Sequence, residues 1–215
     1  MTEDMHRRYM TAVDWMRRAL LVLALAGLAA CGKDVPSLPQ IGPDDVIVAF
    51  GDSLTYGTGA SEGESYPEVL SQLIGRTVIR AGLPGEQTAG GLRRLSNVLD
   101  YHRPKLLLLC LGGNDMLRKV DPSVTEANLR KMVELARAQG VAVALIGVPR
   151  PALFPGKAEF YEAVASDFGL PLEDRILKEI LRDNAYKADP IHPNAMGYRK
   201  MAEAIAELLR RAGAV

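Results

Sequence analysis

Three side chains of this chain have the types and order that nucleophilic acyl chemistry needs: Ser53, Asp189 and His192. The segment Phe50-Gly51-Asp52-Ser53-Leu54-Thr55 sets a serine directly after an apolar run, with Gly51 letting the backbone turn sharply. A serine hydroxyl is a weak nucleophile until a base takes its proton. The chain has three histidines. His6 lies in the N-terminal leader, and His102 follows a helical pattern and precedes a strand, which puts it on the rim opposite Ser53. His192, in Asp189-Pro190-Ile191-His192-Pro193-Asn194, is the one that can reach the serine. Asp189, three residues earlier, can accept from the imidazole Nδ1–H on a tight turn, orienting the ring and stabilising the imidazolium. The same residues also fit a capping aspartate, a surface histidine and a turn serine, and spacing alone leaves both readings open.

Acyl transfer also needs donors for the oxyanion. Gly85, in Leu83-Pro84-Gly85-Glu86-Gln87-Thr88, offers a backbone N–H in a loop after a strand. Asn114, in Gly112-Gly113-Asn114-Asp115, offers a side-chain amide after another. Each fits a turn or helix cap equally well.

The elements that must hold these residues alternate. Apolar runs at Val46–Phe50, Thr77–Arg80, Lys105–Leu111 and Val141–Gly147 read as buried strands. Helical spacing covers Tyr66–Ile74, Gln87–Tyr101, Pro122–Gln139, Lys157–Phe168, Asp174–Leu181 and Ala195–Arg211. Asp121 and Pro122 read as an N-cap and first-turn proline, and Gly140 as a stop. This alternation predicts an α/β fold, a flavodoxin-like three-layer α/β/α sandwich with a mostly parallel sheet of about five strands. In such sheets ligands bind at the carboxyl ends of the strands, so the loops starting at Gly51, Ala81, Gly112 and Val148 open on one rim.

Ser53 in Gly-Asp-Ser-Leu, Gly85, Asn114 in Gly-Gly-Asn-Asp, and Asp189 with His192 in Asp-x-x-His occur in this order and together resemble the four blocks of the SGNH (GDSL-type) hydrolase family. The resemblance covers residues 45–212. The segments 81–92 and 111–115 are similar to the bacterial thioesterase I/lysophospholipase L1/arylesterase subgroup, although Arg80-Ala81-Gly82 stands where that subgroup commonly has Asn, which weakens transfer of fine specificity. The resemblance implies a carboxylic-ester hydrolase, with thioesterase activity in scope. In it Ser53 attacks, His192 is the base, Asp189 orients His192, and the Ser53 and Gly85 N–H groups with the Asn114 side chain hold the oxyanion. It implies no cofactor and no metal, and no His–carboxylate cluster has ligand spacing. Leu153 and Phe154, apolar residues in the loop after the fourth strand, either line an acyl pocket or pack against the body. The family also includes carbohydrate O-acetylesterases.

The first residues read as an address. Arg17-Arg18 precede the apolar run Ala19–Ala30, too short to span a bilayer comfortably, and Leu28-Ala29-Ala30-Cys31 resembles a bacterial lipobox. This predicts a lipoprotein signal peptide over 1–30 with its true start at Met16, a lipidated Cys31 and tether over 31–44, and a hydrolase domain over 45–215. By the same resemblance Gly32 favours the outer membrane of a Gram-negative host, with the domain facing the periplasm. The bland alternative is an ordinary signal peptide with an incidental cysteine. Cys110, inside an apolar run, reads as a core thiol.

The 215 residues and 48% hydrophobic content suit one domain, expected to work as a monomer. A formal net charge of zero gives no basic excess for nucleic acid. The expected partners are a small-molecule or lipid ester and, through Cys31, a membrane. Neither a dinucleotide nor a Walker pattern surrounds Gly51, Gly57 and Gly59, and Ser53 sits in no Gly-x-Ser-x-Gly elbow. A non-catalytic lipid- or glycan-binding lipoprotein is the other class that these residues admit.

Overall fold

Five strands lie side by side and all parallel in the computed structural model, which describes residues 35–151 and 156–215. Cys31, Leu153, Phe154 and the leader lie outside the described residues. The strands are β1 (Val46–Gly51), β2 (Thr77–Gly82), β3 (Leu106–Cys110), β4 (Ala142–Ile146) and β5 (Leu172–Glu173), in the spatial order β2-β1-β3-β4-β5. That is the flavodoxin-like order. Four strands fall within a residue or two of their apolar runs. The fifth, only two residues long, carries no run that periodicity could find.

Eight α-helices connect them among the described residues: α1 (Ser53–Tyr56), α2 (Tyr66–Ile74), α3 (Thr88–His102), α4 (Gly113–Leu117), α5 (Pro122–Ala138), α6 (Glu159–Phe168), α7 (Ile176–Arg182) and α8 (Ala195–Arg211). Right-handed crossovers decide their layers. The chain steps outward from β1 to β2 through α2, then back across β1 to β3 through α3, so α2 and α3 cover opposite faces. The contacts follow: α2 packs on α8, and α3 on α5, which packs in turn on α6. β3, in the middle, is buried along its whole length, whereas β2 is a half-exposed edge. A strand covered on both faces reads as a continuous apolar run, as Leu106–Cys110 does.

Local caps agree with the sequence. Asp121 accepts from the Ser123 N–H at 2.8 Å, with Pro122 in the first turn. Asn194 accepts from the Gly197 N–H at 3.0 Å and starts α8. The segment expected as a tether is bound to the body over its described part. The Leu38 and Ile41 N–H groups donate to Ala212 O and Ala214 O, each at 2.8 Å, and Ile41 is buried.

Candidate active site

β1 delivers Ser53 and the histidine turn answers it. Asp52 is the N-cap of α1, its Oδ1 accepting from the Leu54 N–H at 3.0 Å, so Ser53 begins the helix at the carboxyl end of β1. On the far side of the rim, residues 188–193 close on themselves. The Ala188 N–H donates to His192 O at 2.9 Å, and Asp189 Oδ1 accepts from the Ile191 and His192 N–H groups, both at 2.8 Å. This Asx-type turn holds the aspartate beneath its own histidine. His192 Nδ1 then lies 2.7 Å from Asp189 Oδ2, and His192 Nε2 lies 3.0 Å from Ser53 Oγ.

The His192 side chain is 14% exposed and that of Asp189 is 43% exposed. Burial would raise the Asp189 carboxyl, but hydrogen bonds from the His192 ring and from the two backbone N–H groups outweigh it and hold it below its ordinary value. It is therefore an anion at neutral pH, and it fixes the tautomer with the proton on Nδ1. That leaves Nε2 as an acceptor facing the serine hydroxyl.

The other site residues gather around this line. Ser53, Gly85, Asn114 and His192 all line one cavity of about 470 Å³. Its wall is mainly apolar, with Leu54, Pro84, Leu117, Val148, Leu181 and Ile191. No protein acceptor takes the Ser53 or Gly85 backbone N–H among the described residues. Asn114 differs: its amide nitrogen donates to Asp52 Oδ2 and to Glu86 O, both at 3.0 Å. Val148 to Pro151 flank the cavity, and Arg150 and Gly156 pair in an isolated antiparallel bridge. Leu153 and Phe154 lie outside the described part.

Sequence reasoning passed over five polar residues here. Asp52 is 2% exposed. Burial pushes its carboxyl up to about 6, against the pull of the Leu54 N–H, the His192 charge and the Asn114 amide. Its place between a strand and a helix start was a legible N-cap signal. Asp115 is buried too and accepts from both the backbone N–H and the hydroxyl of Thr88, tying α4 to the start of α3. Glu86 and Arg94 pair behind the site, and nothing in a one-dimensional pattern announces them. The Tyr161 hydroxyl donates to Leu111 O at 2.7 Å and steadies the strand end before Asn114. Cys110 is a fully buried thiol, as its apolar run predicted. Among the described residues no group of three or more His, Cys, Asp or Glu side chains is arranged to hold a metal.

Comparison with known proteins adds a second, independent line. Thioesterase 1/protease 1/lysophospholipase L1 of Escherichia coli (strain K12) is 29% identical over 174 residues, covering 77% of this chain and 84% of its own length. The arylesterase of Vibrio mimicus is 30% identical over 175 residues, covering 76% and 87%. The crystal structure of TesA superposes with a TM-score of 0.73 at 27% identity, covering 78% of this chain and 99% of that one. The sequence profile of the GDSL-like lipase/acylhydrolase family matches residues 49–200, a span that takes in both Ser53 and the histidine turn. With the shared fold, that match establishes that the chain belongs to the GDSL-like lipase/acylhydrolase family, the SGNH hydrolases.

Proposed function

We propose that this chain is a serine esterase in which Ser53, His192 and Asp189 act as a catalytic triad. The observation that carries the reading is the unbroken line Ser53 Oγ–His192 Nε2–His192 Nδ1–Asp189 Oδ2, at 3.0 and 2.7 Å, opening on an apolar cavity. Ser53 Oγ attacks the ester carbonyl carbon while His192 Nε2 takes its proton. The carbonyl oxygen becomes an oxyanion, met by the Ser53 and Gly85 N–H groups. Asn114 joins them by giving up or sharing one of its two present acceptors. The intermediate collapses, His192 returns its proton to the departing alcohol, and an acyl group remains on Ser53. Water activated by His192 then repeats the sequence and frees the acid.

The apolar wall supports an acyl ester with a chain longer than acetyl as substrate, whether an aryl ester, a lysophospholipid or a thioester. The lipobox-like Leu28-Ala29-Ala30-Cys31 supports attachment to the cell envelope through a lipid on Cys31, with the domain in the periplasm.

Hydrolysis of p-nitrophenyl esters from acetate to palmitate, with Ser53→Ala beside the wild type, tests the chemistry. The expected profile rises beyond acetate and collapses in the variant, and activity persisting in Ser53→Ala refutes the triad. A profile that peaks at acetate favours the carbohydrate O-acetylesterases of the family instead. Incorporation of radioactive fatty acid into the wild type and not into Cys31→Ala tests the anchor.

A further inference from the structure

Ser53 and Gly85, whose backbone N–H groups no backbone acceptor takes among the described residues, line the cavity from different segments. Ser53 follows β1, and Gly85 sits in the turn after β2. The spacing of the two N–H groups decides whether both can reach one oxygen atom. Gly85 has φ +78°, and the Glu86 N–H donates to Leu83 O at 3.1 Å, so Leu83-Pro84-Gly85-Glu86 is a type II turn. The glycine determines which way its N–H points. It does not determine where the turn stands relative to Ser53.

One side chain touches both segments. Arg94, on α3, donates from Nε to Glu86 Oε1 and Oε2 at 2.8 and 2.9 Å, and from Nη2 to Glu86 Oε2 at 2.6 Å. The same Nη2 donates to Gly51 O at 3.1 Å and Ala81 O at 3.0 Å, the ends of β1 and β2. Its guanidinium carbon lies 3.9 Å from the centroid of the Phe50 ring, which keeps the plane from tilting. Glu86, in turn, carries the carbonyl that accepts from Asn114. The Glu86 side chain is 5% exposed and that of Arg94 is 25% exposed, and neither lines the cavity. A planar fork can hold a carboxylate and two carbonyls at fixed mutual distances, which a point charge on a flexible stem cannot.

We propose that Arg94 is a positioning residue: gripping Glu86, Gly51 O and Ala81 O together, it sets the spacing of the Ser53 and Gly85 N–H donors and, through Glu86 O, the seat of Asn114. The proposal rests on the oxyanion reading of those three donors. It differs from a purely stabilising ion pair in what it predicts for the transition state alone.

The test uses the full chain. Arg94→Lys keeps the cation and loses the fork. Its kcat on a p-nitrophenyl ester should fall roughly 10- to 100-fold, less than the loss for deleting a donor outright, with KM unchanged within about twofold. The NMR signals of the Gly85 amide and the Asn114 side-chain NH2 should move in the same variant. Glu86→Gln, which keeps size and one acceptor, should show a smaller kcat loss in the same direction and covers the case in which Arg94→Lys does not fold. Folded variants with wild-type kcat and unmoved Gly85 and Asn114 signals overturn the proposal, as does a drop in melting temperature alone. If the wild type hydrolyses no ester, the oxyanion reading fails by itself, and the two NMR signals still decide whether Arg94 positions this turn.

Discussion

Replacing Asp52 by asparagine isolates a single buried charge. Asp52 is 2% exposed, and burial pushes its carboxyl from the ordinary 3.8 up to about 6. The native state therefore holds the proton more tightly than the unfolded chain. Below about pH 4 both states are protonated, and the neutral carboxyl is accommodated without penalty. As pH rises through about 6 the folded protein must carry a buried anion, and stability is lost. A shift of about two units at about 1.4 kcal/mol each gives about 3 kcal/mol. Asparagine does not titrate and escapes this loss. It brings a fixed cost of its own, since its NH2 must face either the Leu54 N–H or the Asn114 amide, both donors. That mismatch costs about 1–3 kcal/mol and is independent of pH.

Urea unfolding of wild type and Asp52→Asn at intervals from pH 3.5 to 8 separates the two effects. The difference in unfolding free energy should swing by about 3 kcal/mol in favour of the variant as pH rises, whatever its value at pH 3.5. A difference flat in pH, or one that swings toward the wild type, would mean that Asp52 carries no burial penalty in its charged form. Catalysis should move the other way. Asp52 Oδ2 holds the Asn114 amide, so the variant should lose kcat at pH 8 even while it gains relative stability. A carboxylate that costs stability and is kept beside the proposed nucleophile is the stability–function compromise expected of an active site.

Three further perturbations address the proposed triad and the segments around it. Asp189→Asn should lower kcat by roughly 10³- to 10⁴-fold by disturbing the His192 tautomer, with unfolding free energy within about 1 kcal/mol of wild type because the Asp189 side chain is 43% exposed; steady-state kinetics beside urea unfolding checks both. In Gly59→Ala the new Cβ would meet Pro193 O at 2.6 Å and Ala188 Cβ at 2.8 Å, at φ +98°, so strain of about 1–3 kcal/mol should fall on the histidine turn. Its kcat should drop by more than its melting temperature suggests, and an unchanged kcat would show that the turn moves without its histidine. Tyr161→Phe should cost about 1–3 kcal/mol in calorimetry by leaving Leu111 O without its 2.7 Å donor in a buried site.

The elements legible before folding are those that short-range physics controls. Val46–Phe50 and Leu106–Cys110 are legible because strands buried on both faces must be apolar throughout. Asp189 and His192 are legible because three residues of one turn suffice to bring a carboxylate to an imidazole. Ser53 gained its weight from elimination among three histidines and from its place at a strand end. Long-range packing set everything else. β5 pairs over only Leu145–Leu172 and Ile146–Glu173, a strand made by its neighbour rather than by its own pattern. Asn114 was legible as a donor, but its present acceptors, Asp52 and Glu86, come from segments 62 and 28 residues away. Arg94 reaches Gly51 across 43 residues and meets Glu86 on the far side of a turn. Partners so distant along the chain leave no period to read, because only the crossover of α3 behind β1 brings the guanidinium to the carbonyls it holds.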